Sequence, residues 1–196
     1  PNPSPEATSP PPAPATSQAL TDDGFVSPVN QRAFLGELEA NRAMWFDLGS
    51  SEAPMVVMVA DPSCEFCHRA WQTLQGLITE RRIRVRVVMI AGRPQSEGPA
   101  ISILSRENPA QAFWLGEGSS TQPVRPAPAQ GTAEFRTGQE ALRLNMAFVN
   151  RFGQHIRQTP FLAYVGADGQ MRSISGIRPI RGSILPASAF SLRLTQ

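Results

Sequence analysis

Cysteine is scarce in this chain, since only Cys64 and Cys67 occur among its 196 residues. A single pair cannot form a network of disulfides, and the chain is long enough to bury a hydrophobic core without one. A structural zinc site would need two further ligands of suitable type near the cysteines, and the sequence places none there. We therefore expect no metal and no cofactor, and we look for the function in the Cys-x-x-Cys pair itself.

Long hydrophobic runs are also lacking. No apolar stretch approaches the ~20 residues that a membrane helix needs. The first residues have neither the basic start nor the hydrophobic segment of a secretory signal. Because the chain begins with proline and not methionine, we expect that an upstream signal peptide or anchoring segment has been removed.

Lysine is absent, and all 18 basic residues are arginine, which gives a net charge of +2 against 16 acidic residues. Arginine is concentrated only in residues 81–86, where it alternates with Ile83 and Val85. That alternation predicts a half-buried strand with one solvent-exposed face that carries the arginines. We therefore do not expect nucleic-acid binding.

The chain divides into three parts by composition. Residues 1–24 are rich in proline and poor in residues that form a core, which predicts a disordered tether. Residues 25–50 are interpreted as a linker helix, with apolar residues at near-helical spacing over 28–47. Residues 51–196 are expected to form the catalytic domain.

The order of elements in that domain indicates an α/β fold. We predict a strand at 55–60, a helix at 64–80, a strand at 83–90, a helical insertion at about 96–153, and a hairpin with strands at 161–165 and 170–174 around Asp168-Gly169. A Cys-x-x-Cys pair beside a βαβ pattern is typical of redox proteins with the thioredoxin-like fold. The arrangement thus resembles that fold with helices inserted in its middle.

The spacing of the two cysteines suits dithiol chemistry. Pro62-Ser63 would place Cys64 at the amino end of the helix, where the helix dipole favours an exposed, ionised thiolate. Cys64 is therefore the predicted nucleophile. Cys67 lies one turn further into the helix, where it would attack a mixed disulfide and form the redox disulfide Cys64–Cys67.

Neighbouring side chains would modulate this chemistry. Glu65, when ionised, opposes a second negative charge on Cys64. Phe66 offers an apolar surface to a partner polypeptide. His68 lies four positions after Cys64, so its protonated ring could stabilise the thiolate, or it could simply face solvent.

Thr159-Pro160 forms a second constellation at the start of the first hairpin strand. In thioredoxin-like proteins a cis-proline lies opposite the dithiol, and the residue before it presents backbone groups to the substrate. We therefore interpret Thr159 and Pro160 as substrate-binding. The alternative is an ordinary proline on an edge strand.

Three segments carry a resemblance to a known family. Residues 61–71, 105–114 and 152–160 resemble the active site, the helical insertion and the cis-proline region of the DsbC/DsbG thiol:disulfide interchange proteins, on the DsbG side. The resemblance implies a periplasmic enzyme that isomerises protein disulfides or reduces oxidised cysteines such as sulfenic acids. It also implies protein substrates that contain cysteine, and a membrane electron donor of the DsbD type.

The chain departs from this family at its amino-terminal end. The family normally carries a dimerisation domain there, where this sequence has the proline-rich tether. We therefore leave the oligomeric state open, and a monomer is one option. Membrane tethering through the removed upstream segment is a second option to test. Isomerase activity is the part of the implied function that depends most on the missing domain.

Two other functions compete. Cys64-x-x-Cys67-His68 also spells the attachment motif of c-type haem, in which His68 would be one axial ligand. One methionine, Met89, Met146 or Met171, would supply the other axial ligand. In the second alternative the chain is a non-catalytic component of an envelope assembly for secretion or conjugation, and keeps the fold for binding.

Overall fold

The computed structural model describes residues 31–40, 43–117, 125–153, 156, 158–165 and 171–176. The predicted tether at 1–24 and the predicted turn at Asp168-Gly169 lie outside these residues. The helices are α1 (Gln31–Glu39), α2 (Glu65–Thr79), α3 (Glu97–Leu104), α4 (Pro109–Glu117) and α5 (Ala133–Arg151), and the strands are β1 (Phe46–Leu48), β2 (Met55–Ala60), β3 (Arg84–Met89), β4 (Phe161–Val165) and β5 (Met171–Ser175).

The strands of the described residues form one five-stranded sheet in the order β1-β3-β2-β4-β5. Strands β2 and β3 are parallel and are joined by α2, while β1, β4 and β5 pair antiparallel with their neighbours. The predicted βαβ unit, the helices that follow and the hairpin strands are therefore all present. The helical insertion lies between β3 and β4.

The central strand β2 is covered on both faces, as its unbroken apolar sequence requires. Val56 and Met58 belong to a core shared with α2, and Val57 and Val59 belong to a second core on the other face. The first core contains both cysteines. In the second core, Phe34 from α1 packs edge-on against an α5 phenylalanine, with ring centroids 5.3 Å apart.

The helix predicted over 28–47 is wrong at its carboxyl end. Helix α1 ends at Glu39, and Phe46–Leu48 instead forms the edge strand β1, paired with β3. Phe46 and Leu48 are buried, and the Asp47 side chain between them makes a two-pronged ion pair with Arg86, at 2.8 Å for each bond. A strand allows this alternation of buried and polar residues, whereas a helix would not.

The same contacts explain the arginine cluster. Arg84 also reaches Asp47, and the Arg86 guanidinium lies over the Trp45 ring at 3.4 Å from its centroid. These side chains are engaged within the protein, as expected for the polar face of a strand.

The insertion packs closely against the rest of the domain. Helix α5 begins at Ala133, because Thr132 caps it by accepting a hydrogen bond from the Phe135 amide. Gly138 lets α5 approach α3, since a Cβ there would lie 2.7 Å from the Ile101 carbonyl oxygen. Buried Asn145 ties α5 to the sheet through Met89 O at 2.8 Å.

No helix in the described part of the chain is both long enough and apolar enough to cross a membrane.

Candidate active site

A tight turn places Cys64 at the N-cap of α2, directly before Glu65. The Asp61 carboxylate accepts a hydrogen bond from the Ser63 amide at 2.8 Å, and the Cys64 amide donates to Asp61 O at 3.0 Å. Cys64 is the N-cap of α2 and has an extended backbone, and its carbonyl accepts the amides of Cys67 and His68. The sequence Asp-Pro-Ser thus closes a turn that leaves the Cys64 thiol at the positive end of the helix dipole.

Both cysteines are free thiols, and both are buried. Cys64 is 2 % exposed and Cys67 is 1 % exposed. The expectation of an exposed Cys64 was therefore wrong. The reason is that the Thr159-Pro160 segment lies across it, with Cys64 Sγ donating to Thr159 O at 3.4 Å.

The second thiol is electrostatically distinct. Burial raises the pKa of the Cys67 thiol strongly above its ordinary value, and the neighbouring Cys64 raises it further. Hydrogen bonds from the Asp61 backbone and the Thr159 side chain oppose this effect on the pKa only in part. Cys67 is therefore a protonated thiol at neutral pH.

The Thr159-Pro160 peptide bond is cis. Its loop is held from the far side by β5, because Gly176 N donates to Pro160 O at 2.8 Å and the Ser175 hydroxyl lies within hydrogen-bond distance of the Gln158 amide and carbonyl. The structure thus brings Thr159 and Pro160 together with the two cysteines, although they are about 95 positions apart in the sequence.

The remaining predicted site residues occupy the rim. Phe66 is 46 % exposed, and the Arg69 guanidinium lies 5.6 Å from its ring centroid. Glu65 is exposed and forms an ion pair with Arg69, so part of its charge is neutralised one turn along the helix. The His68 ring contacts Pro62 O through Nε2 at 3.0 Å and is half-buried, so it does not match a fully solvent-facing side chain.

One group that sequence reasoning undervalued is the Asp61 side chain. Cys64, and not Asp61, is the residue at the N-cap position of α2. Asp61 is 2 % exposed and accepts bonds from Ser96 Oγ at 2.6 Å and from the Gly92 amide at 2.8 Å, in addition to Ser63. A carboxylate directly before a Cys-x-x-Cys turn was the available signal, but its partners lie more than 30 residues away.

Comparison with known proteins places these features in context. A scan against protein-family models finds no match. Over 135 residues the chain is 24 % identical to the thiol:disulfide interchange protein DsbG of Escherichia coli K12, a match that covers 68 % of the chain. The chain is homologous to DsbG. This confirms the resemblance seen in the three segments, although the matched region spans only about half of DsbG, 52 % of its length.

Solved structures of other proteins share the fold of this chain. The catalytic domain of Proteus mirabilis ScsC matches with a TM-score of 0.53 and 18 % identity, covering 75 % of the chain and 90 % of that domain. A periplasmic thioredoxin-like protein from Salmonella enterica serovar Typhimurium matches with a TM-score of 0.54 and 17 % identity, covering 76 % and 90 %. The predicted thioredoxin-like fold is thereby confirmed.

The haem alternative fits the geometry and the DsbG homology poorly. The His68 Nε2 atom that would bind iron already contacts Pro62 O, and both cysteine side chains lie in the core beside α2. Met89 and Met171 are buried in strands of the sheet.

Proposed function

We propose that the chain exchanges thiols and disulfides with cysteines of other proteins through Cys64 and Cys67. One observation carries the proposal: the Cys64 thiol lies at the N-terminus of α2, 3.4 Å from the carbonyl of Thr159, which precedes a cis-proline. A dithiol at a helix N-terminus, next to a backbone segment that can receive an extended chain, has the groups that disulfide exchange needs.

The two thiols have different roles because their environments differ. Burial raises the pKa of Cys67, so this thiol stays protonated and is a poor first nucleophile. Cys64, at the N-cap of α2, is left to attack first. A client must displace the contact between Cys64 Sγ and Thr159 O to reach the sulfur.

The reaction proceeds in two exchanges. The Cys64 thiolate attacks a client disulfide, an S–S bond forms between Cys64 and the client, and the second client sulfur leaves as a thiolate. Cys67 then gives up its proton to a client thiolate and attacks Cys64. The bond between Cys64 and the client breaks, the Cys64–Cys67 disulfide forms, and the client leaves reduced. Isomerisation uses only the first exchange, because another client thiol attacks the mixed disulfide and frees Cys64.

Phe66 and Thr159 are the proposed contacts for the client. Phe66 presents a large apolar surface beside the dithiol, and the Thr159-Pro160 segment offers backbone atoms. We propose cysteine-containing proteins of the periplasm as clients and a DsbD-type membrane protein as the electron donor. The homology to DsbG and the fold shared with a periplasmic protein support this assignment.

The experiment is to trap the first intermediate. In the Cys67→Ser variant the resolving thiol is missing, so a mixed disulfide between Cys64 and oxidised, disulfide-containing model clients should accumulate on a non-reducing gel. The Cys64→Ser variant is the matched control and should trap nothing. Insulin reduction and refolding of a scrambled disulfide substrate then distinguish a reductase from an isomerase.

Two results would contradict the proposal. One is a Cys67→Ser variant that captures no client at neutral pH. The other is a Cys64→Ser variant that keeps the full cellular role of the chain, which would favour the non-catalytic envelope-assembly function.

A further inference from the structure

The Asp61 carboxylate is a buried junction between the dithiol turn and the helical insertion. Its Oδ1 atom accepts from the Ser63 amide at 2.8 Å and from the Ser96 hydroxyl at 2.6 Å, and its Oδ2 atom accepts from the Gly92 amide at 2.8 Å. Asp61 is 2 % exposed and Ser96 is fully buried. A buried carboxylate needs such donors, because an unpaired one would be costly.

The backbone of the same residue contacts both cysteines. Asp61 O accepts from the Cys64 amide at 3.0 Å, and a backbone hydrogen bond of Asp61 acts on the Cys67 thiol. Any shift of Asp61 therefore moves the surroundings of both sulfurs. Ser96 and Gly92 belong to the segment that enters the insertion just before α3, more than 30 residues after the turn.

We propose that Ser96, acting through Asp61, is a positioning residue by which the helical insertion sets the redox equilibrium of the Cys64–Cys67 pair. This inference rests on the proposed function. The Ser96 hydroxyl partly neutralises the Asp61 charge and fixes the orientation of the carboxylate that closes the turn. Without it, Asp61 keeps more of its negative charge at the turn that carries the cysteines. That charge opposes negative charge on either sulfur, so the reduced form is destabilised and the dithiol is oxidised more readily.

The equilibrium to measure is the reaction with glutathione. Protein dithiol and glutathione disulfide give the Cys64–Cys67 disulfide and two molecules of glutathione; the glutathione S–S bond breaks, and the two protein protons pass to the two glutathione sulfurs. The equilibrium constant is read at pH 7 from the fraction of alkylatable thiol in glutathione buffers of varied ratio.

We expect Ser96→Ala to raise this constant at least fivefold, which corresponds to a potential lower by about 20 mV, since tenfold is about 30 mV. Ser102→Ala is the matched control. Ser102 is also buried and in the insertion, but its hydroxyl donates to the carbonyls of Arg125 and Pro126 and not to the turn. It should change the constant less than twofold, although both variants lose a buried hydrogen bond.

A second variant covers the case in which Ser96→Ala does not fold. A Cβ added at Gly92 would lie 3.1 Å from Asp61 Oδ2, so Gly92→Ala should displace the carboxylate slightly while Ser96 is retained. We expect this variant to shift the constant more than twofold.

Each result of these measurements either supports or overturns the inference. A folded Ser96→Ala protein within twofold of the wild type overturns the inference, as does a shift that Ser102→Ala reproduces. If only Gly92→Ala folds, a shift below twofold overturns it. A wild-type chain whose cysteines form no reversible disulfide overturns the proposed function, and the inference falls with it.

Discussion

The raised pKa of the Cys67 thiol predicts a specific loss of stability in alkaline solution. The folded protein holds this thiol protonated well above its usual pKa of 9.0, because the thiol is buried. In the unfolded chain the same thiol ionises near that value. Stability from the neutral thiol is therefore fully present below pH 9 and is lost as the pH rises, because the unfolded state then releases a proton that the folded state retains.

The size of the effect follows from one proton. The free energy of unfolding should fall by about 1.4 kcal/mol per pH unit above pH 9, which amounts to about 2 kcal/mol between pH 7 and pH 10.5. The measurement is urea unfolding of the reduced protein at several pH values. Other groups also titrate in this range, so the quantity of interest is the difference between the wild type and Cys67→Ser.

Serine does not ionise in this range, so the Cys67→Ser protein lacks the Cys67 contribution but keeps every other titrating group. The stability of the wild type relative to this variant should decline with pH at the stated slope. A difference that stays constant from pH 7 to pH 10.5 would refute the argument that burial keeps Cys67 protonated.

Three further predictions concern packing and recognition. Asn145→Ala should lower the free energy of unfolding by about 2–4 kcal/mol in chemical denaturation, because the backbone groups of Met44 and Met89 lose their partner. Asn150→Ala, on the exposed side of α5, should change it by less than about 0.5 kcal/mol. Gly138→Ala should lower the free energy of unfolding by about 1–3 kcal/mol, because its Cβ would lie 2.7 Å from a carbonyl oxygen of α3. Gly36→Ala has open space around it and should leave this free energy unchanged or raise it by up to about 1 kcal/mol. Phe66→Ser should slow exchange with a protein client about fivefold but leave the rate with a small aromatic disulfide within about twofold, which stopped-flow measurements would resolve. Equal losses for the two members of a pair, or for the two substrates, would contradict the corresponding prediction.

Local patterns were sufficient to predict most of the fold. The apolar run of β2, the 3.6-residue stripe of α2 and the alternation in β3 each reflect a face that must be buried, so their periods are visible in the sequence. Strand β1 was missed because only three residues carry its pattern and its stabilising partner, Arg86, lies 39 positions away.

The site shows the same division between local and distant information. The turn and helix around Cys64 and Cys67 could be predicted because short-range hydrogen bonds form them. Burial of Cys64 could not, since Thr159 covers it from a distant segment of the chain. The partners of Asp61 were likewise hidden, because nothing in the sequence near Ser96 indicates which carboxylate its hydroxyl meets.

Because β2 is buried on both faces, the sheet has one core layer that holds the cysteines and another that does not. Both cysteines belong to the core layer that contains Trp71 and Leu74, whereas the layer on the opposite face, around Phe34 and Phe148, contains neither. We expect substitutions around Phe34 and Phe148 to lower the free energy of unfolding more than they shift the redox equilibrium of the cysteines. The sheet separates most of the stabilising aromatic packing from the layer that carries the dithiol.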